Sequence, residues 1–167
     1  ALKAKKGVFY EPFVGGFNIV PTISEHIKYA LCSDTNKSLI TLYKALQDGW
    51  TPPSKVSETT YKKYKDLRNS DDPLTAFIAF GCSFGYARDK KKSNYAQVCK
   101  NSPQKKFRNY ALESKNNLAN KQEAMIGITF SQDSYQKHCP KNAVVYCDPP
   151  YINTTGYKTS VFDHKDF

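Results

Sequence analysis

The chain has 167 residues, with 25 Lys and Arg against 15 Asp and Glu for a formal net charge of +10, and 40% of its residues are hydrophobic. That length supports one domain with a genuine core, or a core plus a small insertion, and every apolar run falls short of the ~18 residues that a membrane-spanning helix requires. The basic balance suits a polyanionic partner, although a solvated basic surface gives the same excess of charge.

Residues 8–13 read as a first strand, and Val14-Gly15-Gly16-Phe17 as the turn that leaves it. Glycines in this place let a ligand approach the backbone closely, as in dinucleotide-binding turns, but an ordinary tight turn uses them too. Residues 28–33 form a second predicted strand, ending at Asp34. Asp34 or Thr35 can cap the helix that follows. An acid here, about 20 residues beyond the glycines, can equally take both hydroxyls of a ribose. Leu39, Ile40, Leu42, Tyr43 and Leu46 share one helical face, and Gly49 closes the helix. This succession predicts an α/β fold, a parallel sheet covered by helices.

Pro52 and Pro53 interrupt the pattern. Ser57 is placed to cap a Tyr- and Lys-rich helix over residues 58–68, and Pro73, preceded by Asp71 and Asp72, suits the first turn of the next. Residues 81–102 are polar and glycine-punctuated, and carry Arg88, Lys90, Lys91, Lys92 and Lys100 with Tyr86 and Tyr95 interleaved. A third helix is expected over 105–120 and a strand over 125–130. Residues 51–104 therefore read as a small, mostly helical insertion into a core made of residues 1–50 and 105–167.

A run over 142–147 reads as a buried parallel strand and leads into Asp148-Pro149-Pro150-Tyr151. The prolines lack N–H donors and hold the chain extended. They leave a stiff corner presenting a carboxylate, a proline carbonyl and an aromatic face at the carboxyl end of a strand, where open α/β sheets bind ligands. Two acceptors beside a flat ring suit a planar group that carries an amine, such as a nucleobase. Asp133 is expected on the same edge as Asp34 and Asp148. Like charges so placed repel, so a ligand rich in hydroxyls and amines explains them better than packing does. No histidine or fourth carboxylate has a spacing that completes a metal site. The five cysteines, Cys32, Cys82, Cys99, Cys139 and Cys147, form no Cys-x-x-Cys pair and no zinc pattern, as expected of reduced thiols in the cytosol. Cys147 reads as a small strand residue and not as a nucleophile.

Glu11-Pro-Phe-Val-Gly-Gly16, Asp34-x-Asn36 and Val-Val-Tyr-Cys-Asp-Pro-Pro-Tyr151, in that order, resemble the Dam-type (D12 class) DNA N6-adenine methyltransferases. Phe80-Gly-Cys-Ser-Phe84, Gly85-Tyr-Ala-Arg88 and Asn94-Tyr-Ala96, with Gly156-Tyr157 and Phe162-Asp-His164, are similar to the phage and prophage branch. The resemblance implies a Rossmann-like methyltransferase fold and S-adenosylmethionine as cofactor. It places Glu11, Pro12, Phe13, Gly15, Gly16, Asp34, Asp133 and Asp148 around that cofactor, with Phe13 and the glycines on the methionine side, Asp34 on the ribose and Asp133 on the adenine amine. It implies further that the target adenine is flipped out of double-stranded DNA, with Asp148 and the Pro149 carbonyl expected to accept its N6 hydrogens and Tyr151 to stack on its ring.

By the same resemblance, the insertion recognises the target. Arg88, Lys90, Lys91, Lys92, Lys105, Lys106 and Arg108 are candidates for phosphate contacts, and Asn94 or Arg88 for base edges. A companion restriction nuclease and a cytoplasmic setting, in a bacterial host or a phage-infected cell, are the associated expectations. The chain departs from the family at residues 2–6, between Phe84 and Gly85, and after the final motif, which implies further segments in a parent enzyme. The competing expectations are an RNA adenine or cytosine-N4 methyltransferase and a non-catalytic DNA-binding remnant.

Overall fold

The computed structural model of the chain describes residues 7–67, 70–84, 94–95, 109–138 and 140–151. Strand β1 (Gly7–Glu11) leads through a tight turn and a short helix, α1 (Val20–Ile23), into β2 (Ile27–Ser33). Helix α2 (Lys37–Gln47) follows, then α3 (Glu58–Tyr64) and α4 (Pro73–Ala76), which widens into a π-helical turn over Phe77–Gly81. A two-stranded antiparallel ladder joins β3 (Ser83–Phe84) to β4 (Asn94–Tyr95). Helix α5 (Tyr110–Gln122), β5 (Ile128–Ser131) and β6 (Ala143–Val145) complete the succession.

The main sheet has four parallel strands in the order β5-β2-β1-β6. From β1 the chain steps outward to β2 and β5, then returns to the opposite side of β1 as β6. Strand order reverses between β1 and β6, so the crevice at their carboxyl ends is the place where a sheet of this kind receives a ligand. The expected Rossmann-like α/β architecture is present.

The register puts Phe9 beside Ala30, and Cys32 between Glu11 and Phe130, on the sheet face that meets the helices. Helix α2 buries Leu39, Ile40, Leu42, Tyr43 and Leu46, the face its apolar spacing predicts. Beneath the turn after β1, Phe17, Tyr43 and Phe130 form a cluster of rings with centroids 5.0–5.7 Å apart. Val56, Tyr61, Ala76, Phe77, Ile78, Cys82 and Ala111 belong to the same hydrophobic cluster as the sheet residues.

Local chemistry sets most boundaries. Ser57 accepts from Thr60 N at the start of the helix it was expected to cap, and Asp72 accepts from Leu74 N just ahead of Pro73, the residue expected in the first turn of the next. Helix α2 is capped by Asn36, not by Asp34 or Thr35, because Asp34 spends its carboxylate elsewhere. Helix α5 begins at Tyr110 behind an Asn109 cap, five residues later than expected. Strand β6 is an edge rather than a buried strand: Val144 is 66% and Val145 47% exposed. Among the described residues nothing pairs with its outer side.

Candidate active site

Because all four strands of the main sheet run in one direction, their carboxyl ends gather the acids that follow them. Glu11 is the last residue of β1, Asp34 follows β2, Asp133 lies beyond β5 and Asp148 beyond β6. Tyr146 N donates to Tyr10 O (2.9 Å), so the chain entering Asp148-Pro149-Pro150-Tyr151 stays against β1 as far as the level of Glu11. The strand-end tetrapeptide therefore leaves β6 beside the end of β1, the strand from which the glycine turn departs.

The turn is held from several elements. Gly15 has φ +44°, a conformation that costs a side chain about 1–2 kcal/mol. Its N–H donates to Asp34 Oδ2 (3.1 Å), and its carbonyl accepts from the Tyr43 hydroxyl (2.5 Å). Asp34 Oδ1 accepts from Asn36 N (2.9 Å). Burial pushes the Asp34 carboxyl up, while the N–H groups of Asn36, Gly15 and Thr35 draw it down. At Gly16 a Cβ would come within 2.9 Å of Asn18 Nδ2. Lys121, at the end of α5, donates to Gly16 O (2.8 Å) and Asn18 Oδ1 (2.6 Å), and burial lowers the pKa of its ammonium. No motif marks Lys121 in the sequence.

Glu11 is only 2% exposed, and its Oε2 has no hydrogen-bond partner among the described residues. Burial first, and then the charge of Asp148, push its carboxyl up to about 7. Burial and the Glu11 charge raise Cys32 in turn, and burial together with Asp34, Glu11 and Cys32 raises Tyr43. A carboxyl with a folded pKa above its unfolded 4.5 binds a proton more tightly in the native state. Its contribution to stability is therefore complete below pH 4.5 and is lost as pH rises through about 7. The expected loss from this group is on the order of 3 kcal/mol at most. Urea unfolding of the free protein at several pH values should show this decline, and Glu11→Gln should flatten it. A Glu11→Gln profile matching the parent's would assign the slope to other groups.

Asp148 Oδ1 accepts from the hydroxyl of Tyr151 (2.7 Å), and Tyr151 is 66% exposed. Pro149 and Pro150 are half-buried between them. Phe13, after the glycine-turn entry Pro12, packs its ring on Tyr135 (5.6 Å), and Tyr10 meets His138 edge-on (5.9 Å). Asp133 is tethered. Lys137 donates to Oδ1, the Ser131 hydroxyl to Oδ2, and His138 Nε2 lies 2.8 Å from Oδ2. Lys137 above all, then Ser131 and His138, hold this carboxyl well below the usual range. Asn94 lies in β4 opposite Phe84. Arg88, Lys90, Lys91, Lys92, Lys105, Lys106 and Arg108 lie outside the described residues, as do the phage-like segments 85–88 and 156–164.

A buried carboxyl oxygen with no donor among the described residues can be met by a proton or by a cation, and the other acids at this edge can accept from hydroxyls and an amine. S-adenosylmethionine, with its sulfonium, ammonium, ribose and adenine, fits that donor set. Among the described residues no group of three or more His, Cys, Asp and Glu side chains could hold a metal ion, and no helix is long and apolar enough to cross a membrane.

A parallel α/β sheet whose strand order reverses beside β1 belongs to the class of folds that receive nucleotide-like ligands at that edge. Within that class, the family model of the D12 class N6 adenine-specific DNA methyltransferase matches residues 1–166, and the chain belongs to this family. D12 enzymes transfer a methyl group from S-adenosylmethionine to adenine N6 in DNA, and this is the activity of the chain. No curated protein sequence matches it.

Proposed function

We propose that residues 148–151 grip an adenine extruded from the duplex, while Glu11, Pro12, Phe13, Gly15, Gly16 and Asp34 hold S-adenosylmethionine beside it. The observation that carries this reading is the convergence of Asp148 with the buried Glu11 at the reversal between β1 and β6. When bound, the cofactor supplies an electrophilic methyl group. Asp148 and the Pro149 carbonyl accept the N6 hydrogens, which localises the nitrogen lone pair otherwise delocalised into the ring. Catalysis then rests mainly on positioning and on fixed dipoles. Tyr151 releases its hydroxyl from Asp148 and lays its ring on the base.

Asp34 accepts from Gly15 N on Oδ2 and Asn36 N on Oδ1, with the Thr35 N–H also directed at the carboxylate; of the roughly four lone-pair sites on a carboxylate, at least one remains for a ribose hydroxyl. Asp133 Oδ1 receives only Lys137 among the described residues, so it keeps an acceptor site for the cofactor's adenine amine.

Methylation of a mixed-sequence pool of duplex DNA, mapped at base resolution, tests the reading. The expected product is N6-methyladenine confined to one sequence word. Modification of RNA alone, or of cytosine N4, would redirect it to the corresponding enzyme class. Cofactor binding without transfer to any nucleic acid would indicate a catalytically silent remnant.

We assign residues 51–104 to target recognition, and the phage-like segments around 80–96 to a phage or prophage origin. On that origin, a restriction nuclease that reads the same word is the expected companion, and the cytoplasm of the bacterial host the expected setting. Replacing Lys90, Lys91 and Lys92 together by alanine should reduce the salt slope of DNA binding by about 2–3, near 0.9 for each phosphate no longer neutralised. Fluorescence anisotropy across a salt series reads that slope. An unchanged value would return the run to plain solvated surface.

A further inference from the structure

We propose that Glu11 senses the charge of the methyl donor: it holds a proton while the crevice lacks a cation and releases it when a sulfonium is seated there. The inference rests on the cofactor reading above. Glu11 ends β1 in the crevice itself, almost wholly buried, with Oε2 unpartnered among the described residues. A buried carboxylate oxygen in that condition calls for either a proton or a cation.

The surrounding groups supply no cation. Cys32 faces Glu11 from β2 and Tyr43 from α2, and burial opposes the ionisation of both. Asp34, after β2, and Asp148, after β6, add negative charge. Among the described residues no lysine, arginine or histidine pairs with Glu11. The push to about 7 puts the proton exchange in the neutral range.

The role proposed for Asp148 selects the sulfonium over the donor's ammonium. Asp148 takes the N6 amine, and the transferring methyl must lie in line between N6 and sulfur, so sulfur falls beside the same carboxylates. Seating the donor sends one proton from Glu11 to solvent. Methyl transfer forms the C–N6 bond from the N6 lone pair and leaves the C–S electrons on sulfur, now a neutral thioether. N6 then sheds one proton, and the Glu11 carboxylate takes one up. Glu11 thus finishes each cycle protonated, and the site discriminates against the demethylated product.

Calorimetry of the full chain with S-adenosylmethionine and with S-adenosylhomocysteine, at pH 6, 7 and 8 in two buffers of different ionisation enthalpy, tests this. The donor should bind about tenfold more tightly at pH 8 than at pH 6 and release close to one proton at the lower value. The affinity of the demethylated compound should change less than about twofold over the same range. Glu11→Gln should remove the pH dependence of donor binding. Equal pH dependence for the two compounds overturns the proposal even if the variant does not fold, and so does a donor profile that Glu11→Gln leaves unchanged. Absence of affinity for both compounds at every pH sinks the underlying cofactor reading, a result distinct from either of these.

Discussion

Asp148→Ala is expected to lower the single-turnover rate of methyl transfer by about 10²–10³-fold, the scale of removing one preorganised electrostatic partner of the reacting group. Donor affinity should change far less, because the glycine turn, Asp34 and Glu11 remain in place. Two features of the site sharpen this expectation. Tyr151 loses the acceptor that holds its hydroxyl at 2.7 Å, so the ring gains freedom as well as access. Glu11 loses one of the two influences that raise its pKa, while burial, the larger, persists. The pH profile of donor binding should therefore shift toward acid without disappearing. Asp148→Asn tests the chemistry more narrowly, since its amide presents hydrogens to an amine that needs acceptors. Tritium transfer to duplex DNA at saturating cofactor measures both variants. Turnover within tenfold of the parent would remove Asp148 from the reacting centre.

Asp34→Ala should act on the other half of the reaction. Its carboxylate joins the end of β2 to the glycine turn through Gly15 N and to the start of α2 through Asn36 N. Hydrogen bonds to a charged group contribute about 1.5–3 kcal/mol, so losing those to the ribose should weaken cofactor binding roughly 10–150-fold. The same substitution strands the Gly15 N–H, and the free protein should lose about 1–3 kcal/mol of stability. The rate at saturating cofactor should hold, because no group that touches N6 has moved. Calorimetry and denaturant unfolding read the two effects separately. A variant with normal cofactor affinity but reduced stability would show that Asp34 only braces the turn.

The parts of this site differ in how far a linear sequence can display them. Helix α2 declares itself because its apolar spacing matches the face it buries, and Ser57 because a cap is a local interaction. The acids at the strand ends are legible for a similar reason, since each follows its strand directly. Burial is not local. Glu11 reads as one more strand-end acid, and only the packing of β1 between β2 and β6 shows that one of its oxygens has no partner among the described residues. Lys121 lies in a polar helix, separated from Gly16 by more than a hundred residues, and nothing in its neighbourhood announces their hydrogen bond. The clasp on Asp133 depends on a short helical turn over Tyr135–Lys137 that swings Lys137 and His138 back onto it. Asn36 displaces Asp34 as the helix cap because the aspartate has a longer-range partner in Gly15, a competition that local preference does not register.

Phe17 has φ +51° and is completely buried against Tyr43 and Phe130, directly beneath the turn. Glycine there would relieve the backbone by roughly 1–2 kcal/mol, yet emptying the ring's place would cost about 3–5 kcal/mol. No natural side chain satisfies both demands, so mutational libraries should find position 17 frozen. Efforts to reshape the enzyme for other donors will have to work around this wedge.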